Sequence, residues 1–184
     1  MAPRSVTHGT YRSATGISLL LLALGLYPPS GMPGDLSEVS VAARSELILP
    51  DLSGQQRNLD EFAGKVLLVN FWASWCMPCL EEMPSMQRLT AAMRGKPFAI
   101  VAVNVGEAKR RVQATAKRLK LDFSILLDKD STVFKDWGAT VLPTSYVLDR
   151  SGRVRYIGRA PLEWDRADIV DTLGKLAEQN PQPK

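Results

Sequence analysis

The chain has 184 residues, 45% hydrophobic and 23% charged, with two cysteines and one histidine. That length holds one compact domain with tails, and that composition builds a core without disulfide staples or a structural metal. The net charge of +4 comes from interspersed acids and bases; the densest basic run, Lys109 to Arg111 with Lys117, Arg118 and Lys120, has no aromatic residues interleaved, so it reads as a solvated helix face and no nucleic-acid partner is expected.

Arg4 and Arg12 precede an apolar run, Ile17 to Tyr27, that breaks at Pro28-Pro29-Ser30-Gly31. A basic lead, a short apolar run and a break form an export signal. The run is shorter than the roughly 20 residues that span a bilayer, which favours cleavage. The small-x-small pattern Val41-Ala42-Ala43, however, lies far downstream. Residues 1–27 are therefore either a signal peptide or a retained membrane anchor carried by residues 17–27. Both readings place the protein in the periplasm or another extracytoplasmic space, the second tethering it to the inner membrane. Residues 28–43 read as a flexible linker, 44–179 as the globular domain and 180–184 as a disordered tail.

"SELILPDL" and "QQRNL", parted by Ser53-Gly54, predict a short hairpin. "KVLLVNFWA", Lys65 to Ala73, is an almost unbroken apolar run, the pattern of a central strand buried on both faces. A helix follows to about Arg94, then a second buried strand, "FAIVAVNV", and an amphipathic helix over 107–120. "FSILLD" predicts a strand and Ser131 to Trp137 a short helix. "TSYVLD" and "VRYIG" flank the turn signal Arg150-Ser151-Gly152-Arg153, and Trp164 to Glu178 closes the chain as a helix. Strands alternating with helices, then a terminal hairpin, imply an α/β fold with a mixed sheet covered by helices.

Both cysteines, Cys76 and Cys79, lie in four residues directly after the central strand. In an oxidising compartment such a pair closes on itself and staples nothing distant, so it reads as a redox-active disulfide. At the start of a helix Cys76 faces free backbone N–H groups and the positive end of the dipole, which favour the attacking thiolate. Cys79, one turn further in, suits the resolving role. The same spacing serves haem attachment and zinc, but residue 80 is Leu and the single histidine is His8 in the export segment. No metal and no organic cofactor is expected, since the dithiol is itself the redox group. Met77, Met83 and Met86 near the cysteines keep a Cu(I) carrier open as a rival function, because thiolates and thioethers are soft ligands. Met83, Met86 and Met93 also trace one side of a helix, the pattern of core packing.

"NFWASWCMPCLEEMP" and "VLPTSYVLDRSGRVRYIG" resemble the TlpA/ResA/DsbE group of extracytoplasmic thioredoxin-like thiol-disulfide oxidoreductases, over about Glu46 to Leu176. The resemblance implies a thioredoxin-like fold with a central mixed sheet, helices on both faces, an N-terminal β-hairpin and a central strand-helix insertion. The 67 positions (143 − 76) from Cys76 to Pro143 leave room for that insertion. It also implies that Cys76 is the nucleophile and Cys79 the resolving cysteine. Trp75 would border the site while capping the core, Pro84 would kink the helix, and Pro143 would be a cis-proline facing the cysteines. Leu142 and Thr144 are implied substrate contacts, and Met77 and Pro78 tune the pair. Asn70 stands where thioredoxin has a buried Asp, and Glu82 matches the group's acidic residue, implied here to be partly buried with a raised pKa and to move protons around Cys79. Partners implied are protein disulfide clients, such as apocytochrome c or a copper-site protein, and a membrane electron donor of the DsbD/CcdA type, with the chain itself a monomer. Reductant is the expected direction; a disulfide-donating oxidant stays open.

Overall fold

The computed structural model describes residues 35–41 and 46–180. Strand β4 (Val66–Trp72) is the centre, and all seven of its residues are buried. It pairs in parallel with β5 (Phe98–Val105) and antiparallel with β7 (Thr144–Leu148). With β6 (Ser124–Asp128), β8 (Val154–Gly158) and β1 (Ser37–Val41) they make a six-stranded mixed sheet of order β1-β8-β7-β4-β5-β6.

Alternation along β4 divides the core in two. Val66, Leu68 and Trp72 face helices α1 (Met77–Ala92), α2 (Lys109–Leu119) and α4 (Ala167–Glu178), and pack with Met83, Met86, Val112 and Leu173. Leu67, Val69 and Phe71 face the other way, onto Leu47 and onto Leu49 within the hairpin of β2 (Ile48–Pro50) and β3 (Gln56–Asn58), and onto Trp137 after α3 (Thr132–Asp136). The expected hairpin is present, helices cover both faces unequally, and α2 with β6 forms the strand-helix insertion between β5 and α3.

Residues 37–41, expected to be linker, instead form the edge strand β1, antiparallel to β8 with Ser37 opposite Ile157 and Glu38 opposite Tyr156. "SEVSV" alternates with period two, and Val39 packs on the second core while β8 receives its backbone groups. The export segment, residues 28–34 and the tail 181–184 lie outside the described residues. Two helices start later than expected, α2 at Lys109 and α4 at Ala167. No described helix is long and apolar enough to cross a membrane.

Candidate active site

The chain leaves β4 at Trp72, turns through Ala73–Cys76, where the Cys76 N–H donates to the Ala73 carbonyl at 3.1 Å, and enters α1. Cys76 is the N-cap of that helix, and its sulfur accepts the Cys79 N–H at 3.3 Å. Cys76 and Cys79 form a disulfide with Cα atoms 5.3 Å apart. Both are buried, Cys79 completely, among the residues that α1 packs on the sheet. Pro78 fixes the first turn of the helix and Pro84 lies inside it.

Glu82 lies one turn beyond Cys79 on the same buried face of α1. Its carboxylate is wholly enclosed, not partly buried as expected. Oε1 accepts Asn70 Nδ2 at 2.7 Å, and Oε2 accepts the Leu162 N–H and the Trp164 indole Nε1, each at 3.1 Å. Burial pushes the carboxyl up to about 7 from 4.5, although all three donors pull the other way. Asn70 Nδ2 also donates to Ser145 Oγ at 2.9 Å, so the side chain standing in for thioredoxin's Asp joins β4, α1 and β7. Trp164, expected to open the closing helix, belongs to the loop before it and supplies one of the Glu82 donors.

The Leu142–Pro143 bond is cis, as the resemblance implied. Leu142 is half-buried between the two cores, and Thr144 is buried with its hydroxyl donated to the Val141 carbonyl at 2.7 Å. The Thr144 hydroxyl is thus engaged within the loop, whereas the contact the resemblance implies for Leu142 and Thr144 is through the backbone beside Pro143. Trp75 caps no core: it is 65% exposed, Met77 is 62% exposed and Val141 47%. The tryptophan of this segment that enters the core is Trp72, whose position inside β4 turns it toward α1. Met83 and Met86 are fully buried in the packing under α1, in the same cluster as Cys76 and Cys79, which is the core role.

One group near the site went unnoticed in the sequence. Glu107 Oε2 accepts the Ser74 N–H at 2.6 Å and Asn104 Nδ2 at 2.8 Å, and Oε1 accepts the Ser74 hydroxyl. Burial opposes its charge, but those bonds, with Arg111 nearby, outweigh burial and hold it below the usual carboxylate range. Its partner Ser74 is 33 positions away in sequence, so no local spacing could have marked it.

Residues 42–157 match the AhpC/TSA family. The thiol-disulfide oxidoreductase ResA of Geobacillus thermodenitrificans is 36% identical over 140 residues, covering 76% of this chain and 80% of that protein. ResA of Bacillus subtilis is 32% identical over 142 residues, with 76% and 79% covered. Among solved structures, StoA from Bacillus subtilis superposes with a TM-score of 0.59 at 24% identity, covering 74% of this chain and 99% of that one, which speaks for the shared thioredoxin fold. The disulfide at the head of α1 and this kinship together make the protein a thiol-disulfide oxidoreductase of the AhpC/TSA family, on the ResA-like side of it.

Proposed function

We propose that the protein reduces disulfides in a restricted set of client proteins outside the cytoplasm. The observation that carries this reading is the asymmetry of the pair. Cys76 caps α1 with its sulfur on a backbone N–H, next to exposed Trp75 and Met77, whereas Cys79 is sealed beneath the helix. In the reduced protein the helix terminus favours the Cys76 thiolate. That thiolate attacks one client sulfur, forming a Cys76–client disulfide and releasing the other client sulfur as a thiolate. Cys79, losing its proton, then attacks Cys76, closes the intramolecular disulfide and releases the second client thiolate. Two electrons pass to the client and return from a membrane donor of the DsbD/CcdA type. Glu82, one turn from Cys79 with a carboxyl near neutrality, takes up the Cys79 proton.

Trp75, Met77 and Val141 are apolar and exposed, and with the Pro143 loop facing the cysteines, as the family resemblance implies, they suit an extended client segment, with apocytochrome c or a copper-site protein as the client class. The export pattern of residues 1–27 supports action in the periplasm, as an exported or membrane-tethered monomer. The test is the reduction potential of Cys76–Cys79 in a chain begun at residue 31, which keeps β1. A value near thioredoxin's, about −270 mV, is the expected result for a reductant. A value near that of DsbA, about −120 mV, would reverse the direction and make the protein a disulfide donor.

A further inference from the structure

Glu107 follows the turn at Gly106 and directly precedes Ala108, the cap of α2. Its side chain is only 4% exposed, whereas Arg111, the cation paired with it at 3.9 Å, is 68% exposed and compensates little of its charge. A buried carboxylate persists only where donors satisfy it, and here the donors come from the redox turn: the Ser74 N–H, the Ser74 hydroxyl and Asn104 Nδ2. Ser74 is two residues before Cys76, and the Cys76 N–H closes the same turn on the Ala73 carbonyl. The exchange cycle as written above makes no use of this group.

We propose that Glu107 is a positioning residue of the redox site: its two bonds to Ser74 fix the Ala73–Cys76 turn, and its buried negative charge behind that turn biases the cysteine pair toward the disulfide, making the protein a stronger reductant. An anion near a sulfur disfavours the thiolate. A dithiol whose thiolate is less stable gives up its electrons more readily. The inference rests on the Cys76–Cys79 exchange described above and on no particular client.

Glu107→Gln separates the two roles. With its amide oxygen in place of Oε2 it keeps the Ser74 N–H and Asn104 bonds, and its NH2 donates to the Ser74 hydroxyl, which rotates to accept. The substitution therefore holds the turn and removes the charge, while Glu107→Ala removes both. Glu82, the other buried carboxylate of the site, is unchanged in both variants.

The full chain and both variants are equilibrated with glutathione, and their reduction of insulin is resolved into kcat and KM, with Tm as a check on folding. In Glu107→Gln the glutathione equilibrium moves three- to tenfold toward the dithiol, tenfold being about 30 mV. Glu107→Ala shows the same shift with a severalfold rise in KM for insulin, larger than in Glu107→Gln, because the turn carrying Trp75 is released. A folded Glu107→Gln with the wild-type equilibrium overturns the charge role, and a folded Glu107→Ala with the wild-type KM overturns the positioning role. If Glu107→Ala does not fold, Ser74→Ala replaces it, since it loses the hydroxyl bond and keeps the N–H; an unchanged KM there is equally fatal. A wild-type chain that exchanged with neither glutathione nor insulin would overturn the redox reading itself, whereas an active wild type with indifferent variants overturns the inference alone.

Discussion

Asn70, Leu162 and Trp164 all donate to Glu82, yet burial still carries its carboxyl up to about 7. A raised carboxyl means that the folded state holds its proton where the unfolded chain has lost it. Stability then falls as pH rises from the ordinary value of 4.5 to about 7, and stays level above that. A rise of this size corresponds to about 3 kcal/mol. Glu82→Gln removes this term and fits the site. Asn70 Oδ1 has no partner, so a turned Asn70 amide accepts from the new NH2 while the Ser145 hydroxyl donates to it. The expected outcome is that Glu82→Gln gains on the wild type by about 3 kcal/mol between pH 4.5 and 8 in urea unfolding. Parallel stability curves for the two proteins would show that Glu82 is ionised throughout and takes no part in proton traffic near neutral pH.

Strand β1 makes a prediction at the scale of elements. It covers the outer edge of β8, and Leu36 and Val39 pack half-buried on the two cores. A chain begun at residue 44, the domain start expected from sequence, loses both side chains and bares a row of unpaired backbone groups. Relative to a chain begun at residue 31 it should lose about 1–3 kcal/mol in urea unfolding and self-associate in sedimentation. Equal midpoints and monomeric behaviour in both would show that the edge strand contributes nothing. The missed strand marks where sequence reading ends. β4 was legible because seven apolar-dominated residues in a row admit few other places, and α1 because cysteine chemistry and proline fix its start. "SEVSV" is short, polar and preceded by Pro and Gly, and only the free edge of β8, more than a hundred residues on, makes it a strand. Glu82 was marked by a motif, but its enclosure depends on Leu162 and Trp164 some 80 positions away. Trp164 itself carries the helical pattern of the segment after it, and what keeps it in the loop is distant in sequence: the Glu82 carboxylate on its indole, the Ser85 hydroxyl on its N–H and its burial in the core under α1.

Across the whole molecule, β4 separates a redox face from a bracing face. On the redox side the cysteines, Met83, Met86 and Trp72 share one buried cluster with α1, α2 and α4. On the bracing side Phe71 meets Trp137 and Phe134 edge-on at 5.7 Å, and Tyr146 packs on Trp137 at 5.2 Å with its hydroxyl on the Trp137 carbonyl at 2.7 Å. The thiol–disulfide equilibrium depends on the difference between the oxidised and reduced folded states, so a contact that is the same in both cancels. Trp137→Phe should therefore lower stability by about 1–3 kcal/mol while leaving the glutathione equilibrium within twofold of wild type. Its indole N–H has no hydrogen-bond partner to forfeit, so packing is the whole loss. Met83→Ala acts on the other face, one turn from Cys79. It should cost about 2–5 kcal/mol of stability and also move the equilibrium severalfold toward the dithiol. Reduction pushes two bonded sulfurs apart to non-bonded contact, and the space left by Met83 accommodates the inner one. The two variants compared in the same glutathione buffer decide the matter: equal shifts from both would mean that the sheet transmits strain between its faces, and a shift from Met83→Ala alone would mean that the bracing core sets stability and the redox core sets the poise.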